Sequence, residues 1–140
     1  MTESKLLQVK PAEQVVTEFL AALTSRDLNA VCGCFAEQLD WYIPGNNAIA
    51  PWLGERSSRK EVREFYELLW AHTEALSGRI EHFAVEVNTV ITSGHFETRM
   101  LKTGKKFKSL FFMEITVLDG QIVKYRLLED SFGLVLALTP

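Results

Sequence analysis

At 140 residues, 47% apolar and 24% charged, the chain has the make-up of one globular domain that can hold a core without disulfide or metal staples. Its net charge of −3 argues against a nucleic-acid partner, which asks for a basic face, and no apolar run approaches the roughly 20 residues of a membrane span. Met1 to Lys10 has no apolar stretch followed by a small-residue cleavage site. It reads as a flexible lead to a single domain over residues 11–140, with the cytoplasm as the expected compartment.

Pro11 suits a first helical turn, where its missing N–H is not needed. Val15, Val16, Phe19, Leu20 and Leu23 then follow at helical spacing and predict an amphipathic helix over Pro11 to Leu23. Thr24-Ser25-Arg26 breaks it. Asp27 is the N-cap of a second helix that carries Leu28, Val31 and Phe35 on one face. Cys32 and Cys34 point to different faces of that helix, which argues against a disulfide between them. No Cys or His cluster lies near by, so they read as small buried thiols, and neither metal nor cofactor is expected.

Asp40 to Ile43 is a short β-prone run stopped by Pro44-Gly45. From Asn46 to Ser57 there is no period, which predicts a functional loop of the lid kind. Trp52 and Leu53 are too apolar for a solvated loop: they either plug the sheet edge or close a pocket mouth. Ser58-x-x-Glu61 is a capping box opening a third helix, with Val62, Phe65, Leu69 and Leu76 buried, Tyr66 and Trp70 flanking, and His72 at the rim. Ser77-Gly78 is its expected end.

Phe83 to Ser131 reads as four antiparallel strands turned at Ser93-Gly94, Thr103-Gly104 and Asp119-Gly120. The first turn pairs Ile91 with Phe96 and Thr89 with Thr98; the second pairs Thr98 with Ser109 and Phe96 with Phe111. At Asp119-Gly120 a two-residue turn sets Glu114 opposite Tyr125. A three-residue turn with Gly120 as bulge residue sets Glu114 opposite Lys124 and Met113 opposite Tyr125. The second is preferred because it makes one face continuous: Phe83, Val85, Val87, Thr89, Ile91; Phe96, Thr98, Met100; Phe107, Ser109, Phe111, Met113, Ile115, Val117; Val123, Tyr125, Leu127, Glu129. His95, Glu97 and Arg99 then share the outer face, a surface set rather than a triad, and the lysines from Lys102 to Lys108 crowd a solvated hairpin tip. Leu110, Phe112 and Leu128 also lie outside, beside Arg126 and His95. An apolar patch ringed by charge predicts a homodimer through this face.

The segments "FLAALTSRDLNAV", "DWYIPG", "SRKEVREFYELL", "TGKKF" and "VLDGQIVKYR", with Asp130-Ser131 after the last strand, resemble the SnoaL-like and ketosteroid-isomerase-like domains of the nuclear-transport-factor-like superfamily. The likeness runs from about Glu13 to Leu138. It implies an α+β cone: a half-barrel whose curved antiparallel sheet is covered on its concave face by three N-terminal helices. It fixes a reaction poorly, since that superfamily hosts isomerases, epoxide hydrolases, cyclases, dehydratases and non-catalytic binders. Where ketosteroid isomerases carry a shuttling carboxylate, an oxyanion-hole Tyr and a protonated Asp, this chain has Ile43, Phe19 and Met113. The limonene-type epoxide hydrolase positions hold Gly94, Phe96 and Leu127, and the cyclase His and Asp positions hold Met113 and Leu127.

Glu129 and Tyr125 are the ionisable groups left on the inner face. A carboxyl in an apolar cavity can serve as acid or base near neutrality, and a phenol can donate to an oxyanion. In the plainer reading Glu129 is wet or ion-paired at the strand end and Tyr125 is ordinary core. Three functions follow. The first is a pocket for a small, mostly apolar molecule, built from Phe19, Trp41, Ile43, Trp52, Phe65, Phe96, Thr98, Ser109, Phe111, Met113 and Leu127. The second is acid–base chemistry in the same pocket through Glu129 and Tyr125. The third is a non-catalytic dimeric module whose cone is filled by its own side chains.

Overall fold

The computed structural model describes residues 9–140. Most of the predicted flexible lead therefore lies outside the described residues, while Lys10, at its end, is tied to Glu18 at 2.7 Å. Helix α1 (Ala12–Ser25) buries Val15, Val16, Phe19 and Ala22, the face its spacing predicts. Arg26 closes it in the left-handed region, at φ 51°. Asp27 caps α2 (Leu28–Gly33) by accepting from Ala30 N–H at 3.2 Å.

The second helix stops sooner than the spacing suggests. Phe35 is not on its face but opens β1 (Phe35–Ile43). The Cys34 carbonyl accepts from Ile122 N–H at 2.8 Å, so the chain is drawn into a sheet before another turn can form. After a turn-rich loop, β2 (Gly54–Ser58) pairs antiparallel with β1. The expected loop thus ends in an edge strand. Ser58 then caps α3 (Arg59–His72), and Glu61 reaches back to Ser57 N–H at 2.8 Å.

Helix α3 ends at His72 rather than at Ser77-Gly78. Thr73 adopts extended backbone, Leu101 N–H takes the His72 carbonyl at 3.0 Å, and β3 (Thr73–Glu86) starts at once. Leu76 is consequently a strand residue. Strands β4 (Thr89–Met100), β5 (Lys106–Leu118) and β6 (Gln121–Glu129) follow, and α4 (Ser131–Leu138) closes the chain. That last helix is absent from the sequence reading because its segment is apolar nearly throughout and carries no helical alternation. Its N-cap, Asp130, accepts from Gly133 N–H at 2.9 Å.

The six strands lie in the order β2-β1-β6-β5-β4-β3, antiparallel except for β1 beside β6, which run parallel. The sheet curves without closing, and the helices pack on its concave side, giving the α+β cone.

The first hairpin is the main departure. It turns at Val87-Asn88, with Val87 at φ 54°, while Ser93-Gly94 sits inside β4. Gly94 is there for closeness, not for turning: a Cβ on it would lie 1.9 Å from the Arg79 carbonyl oxygen, where β3 bulges between Ile80 and His82. Moving the turn reverses one stretch of faces. Val90 and Thr92 are inside and fully buried, whereas Thr89 and Ile91 point outward opposite Thr116 and Glu114. Phe83 and Val85 keep the concave side opposite Thr92 and Val90, but no helix covers them, and Val87 is exposed in the turn.

The other two turns fall where predicted. Beyond Thr103-Gly104, Thr98 faces Phe107 and Phe96 faces Ser109, two residues from the expected register; an even slip leaves every side chain on its predicted face. At Asp119-Gly120 the turn has two residues, both at positive φ, so the preferred three-residue turn is incorrect. A bulge at Val123 then moves the strand on by one, and Tyr125, Leu127 and Glu129 still face inward. Ile122 takes the buried place expected of Val123. Glu114 stands opposite Arg126, with Lys124 diagonal to it at 3.4 Å.

A candidate ligand cavity with one acidic wall

Between the sheet and the helices lies a cavity of about 490 Å³. Its sheet wall is Phe96, Thr98 and Met100 of β4, Phe107, Phe111 and Met113 of β5, and Tyr125, Leu127 and Glu129 of β6, alternate residues on strands of one curvature. Helix α1 contributes Leu20, Leu23 and Arg26, and α3 contributes Phe65, Tyr66, Leu69 and Trp70. Ile43, Trp52 and Leu53 bound it beside β1, Leu134 of α4 bounds another side, and Thr73 to Ile80 of β3 contribute to its rim.

Of the residues proposed from sequence, Ile43, Trp52, Phe65, Phe96, Thr98, Phe111, Met113, Tyr125, Leu127 and Glu129 line this space. Phe19, Trp41 and Ser109 do not. Phe19 and Trp41 are fully buried in the aromatic core behind it: Trp41 stacks on Tyr125 at 4.1 Å, and Phe19 meets Tyr125 edge-on at 5.9 Å. They hold the wall rather than form it. The Ser109 hydroxyl donates to the Leu110 carbonyl at 2.6 Å and accepts from Asp130 N–H at 2.9 Å, so it anchors the start of α4.

Tyr66, Trp70, Arg26, Thr73 and Leu134 were missed. Tyr66 and Trp70 flank the α3 stripe, a signal that could have found them. Thr73 falls inside the helix that the sequence predicts up to Ser77-Gly78, and Leu134 lies in α4, whose segment carries no helical alternation.

Few polar groups line the cavity, and two hydroxyls on its lining residues are closed off from it and lack partners. The Tyr66 hydroxyl and Thr98 Oγ1 are buried without a hydrogen bond. The Tyr125 hydroxyl is near enough to Tyr66 to affect its ionisation, but the two do not reach hydrogen-bond geometry. Burial pushes both phenols up, and the Glu129 carboxylate adds to the effect on Tyr125, so both stay protonated at neutral pH. Glu129 forms no ion pair among the described residues. Burial, helped by the charge of Asp130, pushes its carboxyl up to about 7. A group poised there can take up and return a proton, with a protonated phenol on the same strand face.

The outer set is dispersed into pairs with neighbouring strands. His95 lies 3.6 Å from Glu81, Glu97 3.3 Å from Lys108, and Arg99 3.2 Å from Glu74. His72 is exposed, its Nδ1 2.8 Å from the Leu68 carbonyl. Among the described residues no three His, Cys, Asp or Glu side chains gather where a metal could be held.

Residues 16–125 match the family model described as the SnoaL-like domain. No curated protein sequence matches. Among solved structures, an NTF2-like protein from Burkholderia thailandensis is 22% identical, with 94% of this chain and 99% of that one covered and a TM-score of 0.83. TerC, co-crystallised with polyporic acid, is 16% identical over 92% and 98% of the two chains at a TM-score of 0.81. An LEH-like epoxide hydrolase from M. tuberculosis is 17% identical over 91% of each chain at a TM-score of 0.71. At such identities these are likenesses of fold.

Proposed function

Because this chain belongs to the SnoaL-like domain family, we propose that its cone is a binding pocket for a small hydrophobic molecule of polyketide, terpene or steroid type. One observation carries the reading: a cavity of about 490 Å³, walled mainly by aromatic and aliphatic side chains with the Glu129 carboxyl among them, lies between the sheet and the helices. TerC, which shares the fold, was co-crystallised with polyporic acid.

Native mass spectrometry of the purified protein, followed by solvent extraction, tests the proposal. The expected result is a co-purifying small molecule, or a rise in melting temperature with members of a steroid, terpene and polyketide panel. Neither a retained mass nor any shift across that panel would overturn it.

A second reading has a specific observation behind it. Glu129 lines the cavity with its carboxyl held near 7, a suitable position for an acid–base catalyst of isomerase or cyclase type, and Tyr125 supplies a protonated donor. We further propose that a second copy of the chain covers the convex face around Leu110, Phe112 and Leu128, beside Arg126 and His95. A cytoplasmic setting stays part of this proposal.

A further inference from the structure

Arg26 is placed in the cavity wall at a cost that the helix end does not require. It closes α1 in the left-handed conformation, at φ 51° and ψ 42°, where glycine would fit without strain. Its guanidinium is fixed by Thr73: one Nη donates to the Thr73 carbonyl at 2.9 Å and the other to Thr73 Oγ1 at 3.1 Å. Thr73 Oγ1 in turn donates to the Leu69 carbonyl at 2.8 Å, which orients it as the acceptor Arg26 needs. Trp70 lies beneath the guanidinium at 5.7 Å. Arg26, Thr73 and Trp70 all line the cavity.

No carboxylate among the described residues pairs with this cation. Two donors are spent on uncharged oxygens and the remaining N–H groups of the fork stay available. A half-buried guanidinium, locked in position and without an anion, is a prepared anion site. It also lies far from the acidic wall. Thr73 pairs with Met100, and Glu129 pairs with Phe111, whose β4 neighbour is Gly94; Gly94 to Met100 is up to about 20 Å of strand.

We infer that the ligand is an apolar molecule bearing an anionic oxygen, of the carboxylate, sulfonate or enolate class, and that Arg26 receives that oxygen. This rests on the pocket reading and narrows it: the body of the ligand lies along the aromatic wall, its charged end at the α1–β3 corner.

A matched pair of probes tests it. 8-Anilino-1-naphthalenesulfonate and N-phenyl-1-naphthylamine differ by one sulfonate and both fluoresce on entering an apolar site. Wild-type protein should bind the anion at least tenfold more tightly than the neutral probe. Arg26→Gln should abolish that preference, read as the ratio of the two affinities within each variant, Arg26→Lys should keep most of it, and Arg26→Gly, which relieves the backbone, provides a second neutral variant should Gln disturb folding. Equal binding of the two probes by wild type, or a preference that survives Arg26→Gln and Arg26→Gly, overturns the inference and leaves the pocket standing. If neither probe binds any variant with an unperturbed thermal transition, the pocket reading falls with it.

Discussion

Glu129 shows how much one position on a strand decides. It is the cross-strand partner of Phe111 on the concave face, and burial holds its carboxyl up to about 7 against 4.5 in an unfolded chain. Between those values the folded state binds more protons than the unfolded one. The stabilisation is therefore complete below pH 4.5 and is lost as pH rises through 7, by about 3 kcal/mol at most. Glu18, Asp40 and Glu61 are shifted the other way by their hydrogen bonds, so their contributions fade only in more acid solution and leave this window clear. Glu129→Gln should flatten the decline in urea stability between pH 5 and 8 and be the more stable protein at pH 8. An unchanged slope would mean that the carboxyl is solvated. The same variant separates the two functional readings, since a pure binder keeps its ligand and an acid–base enzyme keeps the ligand but loses turnover.

At the scale of elements, the β3–β4 hairpin depends on Gly94. The obstacle to a side chain there is backbone, the Arg79 carbonyl, with Phe111 Cε2 a further 3.0 Å contact, so rotamer adjustment alone cannot relieve it. Gly94→Ala should lower stability by about 2 kcal/mol or more, read as a fall in the urea midpoint with an unchanged slope. Gly78 makes a useful contrast. A Cβ added to it meets nothing closer than Phe96 Cβ at 3.9 Å, so Gly78→Ala should cost little. Equal losses at the two sites would contradict the close approach of β3 to β4.

For the whole molecule, the convex face is the surface on which assembly is proposed. Phe112 and Leu128 are directly opposed across β5 and β6 and each is 55% exposed, with Leu110 at 67% beside them. The rim carries both signs of charge: Arg126 with Asp40 at 2.8 Å, Lys124 with Glu114 at 3.4 Å, Lys108 with Glu97 at 3.3 Å. An apolar centre with a mixed-charge rim can meet its own copy about a two-fold axis. Sedimentation at micromolar concentration should show a dimer, and Phe112→Glu or Leu128→Glu should give a folded monomer with unchanged circular dichroism. A wild-type monomer at that concentration would remove the proposal.

Local chemistry made much of this protein legible in its sequence. Helical spacing in α1, the caps at Asp27 and Ser58, and the position of the Asp119-Gly120 turn each depend on residues within a few positions of one another; Tyr125, Leu127 and Glu129 reach the concave wall as expected because the bulge at Val123 supplies the extra residue that the predicted three-residue turn assigned to the loop. The tertiary structure decided what depends on distant partners. Ser93-Gly94 has the composition of a turn, but the approach of the Arg79 carbonyl makes it mid-strand. Thr73 to Gly78 has no strand period of its own and becomes an edge only because β4 is there to pair with it. Arg26 reads as a helix stop until Thr73 and Trp70, at the C-terminal end of α3, fix it in the cavity wall.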